Sequence, residues 1–168
     1  MKIEDDFLKQ KDFNKIQELM GKASPFPWFY INGIDSKDDV DKFQFVHKFY
    51  GDQMPVSLCM NDLAPILDII KPISLWRIKA NLLTKTPKIV ENEFHVDIDK
   101  MPEERLKQWT ISIFYMGTNN GYTKFEDGTK VESVANRMVT FPSNLEHTGT
   151  SCTDEKTRVV INFNYFAQ

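Results

Sequence analysis

The sequence predicts a mainly β domain, in which a helical N-terminal part packs on a β-sandwich or β-barrel. From residue 74 onward the chain is a series of short runs in which apolar and polar residues alternate, such as SLWRIKANLL, QWTISIFYM and RVVINFNYF. Turn-forming residues separate these runs, and five or six strands at such spacing are typical of a sandwich or barrel. The composition agrees, because thirteen phenylalanines favour strands and bulky cores.

Residues 1–73 are expected to supply helical support and flanking strands. The segment 3–20, IEDDFLKQKDFNKIQELM, has apolar residues at near-helical spacing and is followed by Gly21, which predicts an amphipathic helix, either continuous or broken near Asp12. WFYI and FQFVHKFY predict strands. CMNDLAPILDIIKPI predicts a second helix, capped by Asn61 and ended by Pro72.

Residues 74–168 are expected to form the β core. The predicted strands are SLWRIKANLL, NEFHVDID, QWTISIFYM, YTKFEDG, RMVTFP and RVVINFNYF. TNNGY and FEDGT contain Asn-Gly and Asp-Gly pairs, which favour hairpin turns. No repeat, low-complexity segment or linker interrupts the sequence, so we expect a single domain over residues 1–168.

Charge and hydropathy exclude several classes of protein. The net charge of −3 and the pI of about 5.6 argue against a global basic field for nucleic acid. No apolar run approaches the roughly 20 residues that span a bilayer, and the charged start, MKIEDDFLKQKDF, lacks the apolar core of a signal peptide. We therefore expect a soluble cytoplasmic protein in which Cys59 and Cys152 are reduced thiols.

A candidate metal site begins in EFHVDID. His95 and Asp97 are two residues apart, so in an extended segment they share one face. His147 lies in PSNLEHTGTS, where a loop after the predicted strand RMVTF can present it inward. Two imidazoles and a carboxylate fill one face of an octahedral ion and leave three positions open, which suits Fe(II). His-x-Asp triplets also recur by chance, and a loop histidine bonded to backbone is the alternative for His147.

Arg158 suggests what would bind beside that metal. It begins RVVINFNYF, and an arginine that points into a β core is costly unless it meets an anion. Its guanidinium matches a carboxylate bidentately, as the far end of a metal-chelating dicarboxylate would require. Tyr115 could add a hydroxyl, and Asn162 would share the inward face by the period of two. The alternatives are a surface arginine paired with an acid and a core tyrosine.

Other polar residues allow two interpretations. His47 is expected to be structural or on the surface, although it could line a substrate entrance. Arg77, Lys79 and Asn81 form one face of a predicted strand, and this face either contacts substrate or is solvated.

Together, His95-x-Asp97, His147 and Arg158 resemble the pattern of the Fe(II)- and 2-oxoglutarate-dependent dioxygenases, over roughly residues 74–166. IFYM is similar to the strand of prolyl-hydroxylase-type members whose tyrosine binds the cosubstrate, and Tyr115 falls on that position. Over nearly its whole length the chain resembles small oxygenases encoded by marine bacteriophages, notably in PWFYI, FVHKFY, RIKANL and the segment from NNGYTKFEDG to the end.

The resemblance implies a cupin-like double-stranded β-helix, or jelly roll, with N-terminal supporting helices. It implies Fe(II) bound by His95, Asp97 and His147, and 2-oxoglutarate held by Arg158 and Tyr115. The implied reaction consumes O2 and 2-oxoglutarate, releases succinate and CO2 and hydroxylates a C–H bond. Ascorbate would support turnover, and a phage-encoded enzyme would act in the host cytoplasm.

The resemblance leaves the substrate open. Collagen-type prolyl hydroxylases usually carry lysine where this chain has Arg158, which is closer to the oxygen-sensing branch. RVVINFNYF lacks the second arginine of the nucleic-acid demethylating branch, which argues against a nucleic-acid substrate. A peptidyl residue, first of all proline, is the expected substrate. The alternatives are a small molecule such as an amino acid, a non-catalytic metal-binding jelly roll, and a Zn(II) hydrolase on the same ligands.

Overall fold

The longest strands lie where apolar and polar residues alternate in the sequence. The computed structural model describes residues 1–21, 25–34, 42–98 and 101–167. In chain order the elements are β1 (Lys2–Glu4), α1 (Gln10–Met20), β2 (Phe29–Asn32), β3 (Phe43–Gly51), β4 (Met54–Pro55), a 3₁₀ helix (Leu58–Leu63), α2 (Ala64–Ile70), β5 (Ser74–Thr84), α3 (Glu103–Leu106), β6 (Trp109–Tyr115), β7 (Tyr122–Phe125), β8 (Lys130–Glu132), β9 (Arg137–Pro142), β10 (His147–Gly149) and β11 (Thr157–Phe166). The prediction of a mainly β fold is confirmed.

Two antiparallel sheets make up the β structure. The large sheet has eight strands in the order β1-β9-β6-β11-β5-β3-β2, with β4 paired to β3 outside this path. The small sheet has three strands in the order β10-β7-β8. Strands from the N-terminal part therefore extend the same sheet that the C-terminal part builds. Among the described residues, no helix is long and apolar enough to cross a membrane.

The large sheet has two different faces because its side chains alternate. On β11, Ile161 and Phe163 point to a buried core that includes Phe13 and Ile16 of α1. The opposite face packs on the small sheet through a second buried cluster, which contains Ile111, Ile113, Tyr115, Phe125, Val131, Val139, Phe141 and Val160. Polar residues of β5 and β11 continue this second face, so a polar cavity lies between the sheets.

Both predicted helices start elsewhere than expected. The first begins at Gln10, not at residue 3, because Lys2–Glu4 pair with β9 as a strand. The second begins as a 3₁₀ helix at Leu58, and the hydroxyl of Ser57, not the side chain of Asn61, accepts the capping hydrogen bond from the N–H of Cys59. In both cases a hydrogen-bonding partner outside the apolar pattern sets the boundary.

Three expectations for the β core are corrected. NEFHVDID is not a strand: among its described residues it makes only an isolated bridge, from His95 to His147. TNNGY is not a hairpin, because it leads from β6 in the large sheet to β7 in the small one. His147 begins β10 and does not lie in a loop. FEDGT does join the paired strands β7 and β8, and its Gly128 has a φ of +86°.

Candidate metal centre and anion pocket

Three ligand-type side chains converge at one end of the cavity. His95, Asp97 and His147 place their ligand atoms within 4.8 Å of one another. The N–H of His95 donates to the carbonyl of His147 at 3.0 Å, and the reverse bond measures 3.1 Å. This reciprocal pair sets the two rings side by side, with centroids 5.0 Å apart. Strand β10 and the segment before residue 99 are thus joined at the residues that would bind a metal.

Backbone carbonyls fix the orientation of both imidazoles. Nδ1 of His95 lies 3.1 Å from the oxygen of Glu93, and Nδ1 of His147 lies 3.2 Å from that of Leu145. Because a carbonyl only accepts, each Nδ1 carries a proton, and in a neutral ring of this tautomer Nε2 is the atom that can bind a metal. Burial lowers the pKa of His147, which keeps its ring neutral.

The carboxylate of Asp97 is buried and held on both oxygens. Nη2 of Arg77 lies 2.9 Å from Oδ1, and Nδ2 of Asn164 donates to Oδ2 at 2.8 Å. Burial alone would raise the pKa of Asp97, but Arg77, His147 and the bond from Asn164 hold it well below its usual range. The group is therefore ionised. Two Nε2 atoms and one carboxylate oxygen fit a divalent metal that prefers mixed nitrogen and oxygen ligands, such as Fe(II).

Arg158 lies in the same cavity as the three candidate ligands. It is only 4% exposed, and its Nε donates to Oγ of Ser133 at 2.8 Å while Nη2 donates to Oγ1 of Thr123 at 3.2 Å. No described carboxylate forms an ion pair with it. Burial lowers the pKa of Arg158, as expected for a cation taken out of water. A buried guanidinium whose hydrogen bonds to the described residues all go to neutral hydroxyls fits a site for an anion.

Tyr115 does not lie on the wall of this cavity. It is fully buried, and its hydroxyl donates to Oγ1 of Thr123 at 2.8 Å. Thr123 does line the cavity and also accepts from Arg158. Since a hydroxyl has two acceptor lone pairs, both are used here, and the proton of Thr123 is left to donate to a ligand. In this structure the Tyr115 hydroxyl is thus linked to Arg158 through Thr123, and its direct contact with a cosubstrate stays a prediction.

Asn162 lines the cavity together with two further asparagines, Asn81 and Asn92. The Oδ1 atoms of all three are buried and have no hydrogen-bond partner among the described residues. In Asn92 the amide orientation is set, because Nδ2 donates to the carbonyl of Gly149 at 3.0 Å. Such acceptors need a donor from a ligand or from water.

Several site residues were missed by sequence reasoning. Thr123, Ser133 and Asn92 gave no recognisable signal, because short strands and loops place them. Asn164 could have been found by continuing the period of two from Arg158 and Asn162. His47 lies elsewhere: its Nδ1 is 2.8 Å from the carbonyl of Pro27, and its Nε2 is 2.7 Å from the Ser57 hydroxyl. His47 is structural.

Comparison with known proteins finds similarity to solved structures and none at the level of sequence families or curated proteins. No family model matches the sequence, and no curated protein matches it either. A prolyl-4-hydroxylase from Pseudomonas putida superposes with a TM-score of 0.67 at 12% identity, covering 99% of this chain and 92% of that one. A prolyl hydroxylase from Trichoplax adhaerens, in complex with a peptide fragment of the hypoxia inducible factor oxygen degradation domain, gives 0.65 at 12% identity, covering 98% and 83%.

A viral enzyme has the same fold. The collagen prolyl hydroxylase of Paramecium bursaria Chlorella virus-1, in complex with 2-oxoglutarate, gives a TM-score of 0.55 at 12% identity, covering 99% of this chain and 96% of that one. The TM-scores show a shared fold, and at identities this low the similarity shows the fold alone. The expected jelly-roll fold, of the kind found in prolyl-hydroxylase-like 2-oxoglutarate oxygenases, is confirmed.

Proposed function

We propose that the protein is a Fe(II)- and 2-oxoglutarate-dependent dioxygenase that hydroxylates a C–H bond. The observation that carries this proposal is Arg158, a buried cation without a described carboxylate partner, in one cavity with the His95, Asp97 and His147 cluster. A metal-binding module or a Zn(II) hydrolase needs the cluster but has no use for a buried guanidinium. A dicarboxylate that chelates the metal uses both.

The cavity residues divide into two groups that match the two ends of 2-oxoglutarate. Nε2 of His95, Nε2 of His147 and Oδ1 of Asp97 would hold Fe(II), which the keto-acid end chelates. Arg158 would donate to the distal carboxylate, and the hydroxyl of Thr123 would add a further donor. The jelly-roll fold shared with the viral prolyl hydroxylase bound to 2-oxoglutarate supports this assignment.

Bound iron and cosubstrate would supply the oxidising chemistry, and the protein would orient the cosubstrate and exclude water. In each turnover R–H, O2 and 2-oxoglutarate give R–OH, succinate and CO2. One oxygen atom of O2 enters the new carboxylate of succinate and the other enters the alcohol. Arg158 fixes the cosubstrate at its far end, so the keto acid meets the metal in one orientation. Ascorbate is expected to support turnover by keeping iron reduced.

The substrate proposed first is a peptidyl residue, with proline as the leading candidate. The fold shared with prolyl hydroxylases supports it, and the Trichoplax adhaerens relative was solved with a peptide bound. Asn92 supports it too, because its unpaired Oδ1 needs a donor, and a peptide backbone offers N–H groups. A small molecule with an N–H group remains the second candidate for the same chemistry.

The test is succinate formation from 2-oxoglutarate by purified protein with Fe(II), O2 and ascorbate. We expect slow turnover without substrate and faster turnover with a proline-containing peptide; acceleration by free amino acids alone would favour the small-molecule alternative. Anaerobic Fe(II) protein should show a weak charge-transfer band when 2-oxoglutarate is added. Iron-loaded protein that makes no succinate would refute the proposal.

Arg158→Ala tests the assignment of the anion pocket. Losing a charge-assisted pair should weaken 2-oxoglutarate binding by roughly 2–4 kcal/mol. Arg137→Ala is the matched control, because Arg137 also pairs through two nitrogens, with Asp5, but lies outside the cavity. If Arg158→Ala binds 2-oxoglutarate as tightly as wild type, Arg158 does not hold the cosubstrate.

A further inference from the structure

Asp97, Arg77 and Asn164 form a closed ring of hydrogen bonds at the metal end of the cavity. Arg77 Nη2 lies 2.9 Å from Asp97 Oδ1, and Asn164 Nδ2 donates to Asp97 Oδ2 at 2.8 Å. The third side of the ring is the bond from Arg77 Nε to Asn164 Oδ1, at 3.1 Å. The three side chains therefore fix one another, and none of them can rotate alone without breaking two bonds.

The two partners of Asp97 belong to paired strands of the large sheet, whereas Asp97 does not. Arg77 on β5 and Asn164 on β11 are directly opposite each other in neighbouring strands of the large sheet. Asn164 is fully buried, and the Arg77 side chain is 24% exposed. Asp97 belongs to a segment without strand pairing at its own position. Its direction is therefore set by side-chain bonds to the sheet.

We propose that Arg77 and Asn164 are positioning residues that hold Asp97 so that it offers a single oxygen to the metal. This rests on the proposed function in taking His95, Asp97 and His147 as the metal ligands. Oδ1 lies on the side of His95, 3.9 Å from its Nε2, whereas Oδ2 is turned to Asn164. Asp97 then occupies one coordination position, and the positions needed by a chelating keto acid stay open.

The charge of Arg77 has a second effect on the site. It balances the carboxylate, so the protein ligands together with Arg77 carry no net charge when both histidines are neutral. The positive charge of a bound metal ion would therefore not be offset by these protein groups, which favours an anionic ligand beside it. The metal ion should bind more tightly once 2-oxoglutarate is present, because the dianion supplies the negative charge that Arg77 has offset on the protein.

Titration of the metal-free protein with Co(II) tests this proposal without relying on turnover. We expect Arg77→Met to weaken Co(II) binding about 10- to 100-fold, as removal of an outer hydrogen-bond partner of a ligand commonly does. The visible absorption of the Co(II) protein should also change, because Oδ1 of Asp97 loses its partner and Asn164 loses the bond that orients its amide. Arg77→Lys keeps the charge and should recover part of the affinity. Asn164→Ser should alter the absorption while Arg77 stays in place.

The controls separate failure of this proposal from failure of the proposed function. Arg137→Met removes an arginine from another Asp pair and should leave the affinity and absorption of Co(II) unchanged. Folded Arg77→Met and Asn164→Ser proteins that bind Co(II) like wild type, with the same absorption, would overturn the positioning role alone. Wild type that binds no Co(II) would overturn the metal site and the positioning role together. If Arg77→Met does not fold, Arg77→Lys and Asn164→Ser decide the outcome.

Discussion

The hydroxyl of Tyr115 donates to Oγ1 of Thr123 at 2.8 Å, from a position behind the cavity wall. Thr123 also accepts from Arg158 and has its own proton left for a ligand. The fully buried tyrosine thus orients the threonine that lines the proposed anion pocket. We therefore expect a change at Thr123 to weaken 2-oxoglutarate binding more than a change at Tyr115.

Tyr115→Phe should weaken 2-oxoglutarate binding by about 0.5–1.5 kcal/mol, the value of one neutral hydrogen bond. Thr123→Val should cost about 1.5–3 kcal/mol, because it removes a donor to a charged group at nearly constant volume. Titration of the anaerobic Fe(II) protein by its charge-transfer band measures both. Tyr165→Phe is the control, since that hydroxyl bonds to Ser112 outside the cavity. A larger loss from Tyr115→Phe than from Thr123→Val would contradict this ranking.

Gly121→Ala should displace Arg158. A Cβ at Gly121 would lie 2.6 Å from Cδ of Arg158 and 2.8 Å from the carbonyl oxygen of Ser151, which is backbone and cannot easily move away. We expect 2-oxoglutarate binding to fall roughly tenfold and the free energy of unfolding to fall by about 1–3 kcal/mol. Co(II) affinity should not change, because the candidate metal ligands lie elsewhere in the cavity.

Gly117→Ala is the matched control for that experiment. A Cβ there meets nothing within 4 Å, so cosubstrate affinity and stability should both stay close to wild type. Calorimetric titration with 2-oxoglutarate and urea unfolding give the two readouts. Equal behaviour of the two alanine variants would mean that the close approach of Gly121 to Arg158 has no effect on the anion pocket.

The sequence predicts most of the large sheet because its strands carry strong alternation. RVVINFNYF and SLWRIKANLL became β11 and β5 within a residue or two. The same period brings Arg158 and Asn162 to one face, and the structure has both on the cavity wall. Regular backbone and a period of two are enough to place residues on one strand relative to each other.

The features that the sequence did not predict correctly depend on contacts between distant segments. NEFHVDID alternates like a strand, but its described residues pair only through the His95 bridge to His147. Strand β10 has three residues, too few for a pattern, and it exists because it pairs with β7. Thr123 reaches Arg158 only because the small sheet packs on the large one, and no local pattern in YTKF reports that packing.

Removing the metal should lower the melting temperature, and His147→Ala should abolish the difference. A ligand that binds only the folded state stabilises it by about 2.7 kcal/mol at a concentration of one hundred times its Kd. Scanning calorimetry with Co(II) and with a chelator measures the shift. His47→Asn is the control: His47 is buried but outside the metal cluster, so the variant should melt lower yet keep the shift. A full shift in His147→Ala would remove His147 from the ligand set.

The metal-free protein should lose stability as the pH falls below about 6.5, the ordinary histidine value. Burial lowers the pKa of His147, so above this pH both folded and unfolded chains hold a neutral ring. Below it, the unfolded chain takes up a proton that the folded chain resists, and the free energy of unfolding decreases. Asp97 acts at lower pH: its pKa is also depressed, so its contribution is present above 3.8 and is lost as the pH falls through its folded value.

Urea unfolding in the presence of a chelator, at steps between pH 7.5 and 5, measures this dependence. Wild type should show a falling midpoint over the lower part of that range. His147→Gln has no ring to protonate and should show a shallower fall, whatever its stability at pH 7.5. An equal slope in the two proteins would assign the acid sensitivity to other groups, and a wild-type midpoint that rises on acidification would mean that His147 is stabilised in its charged form.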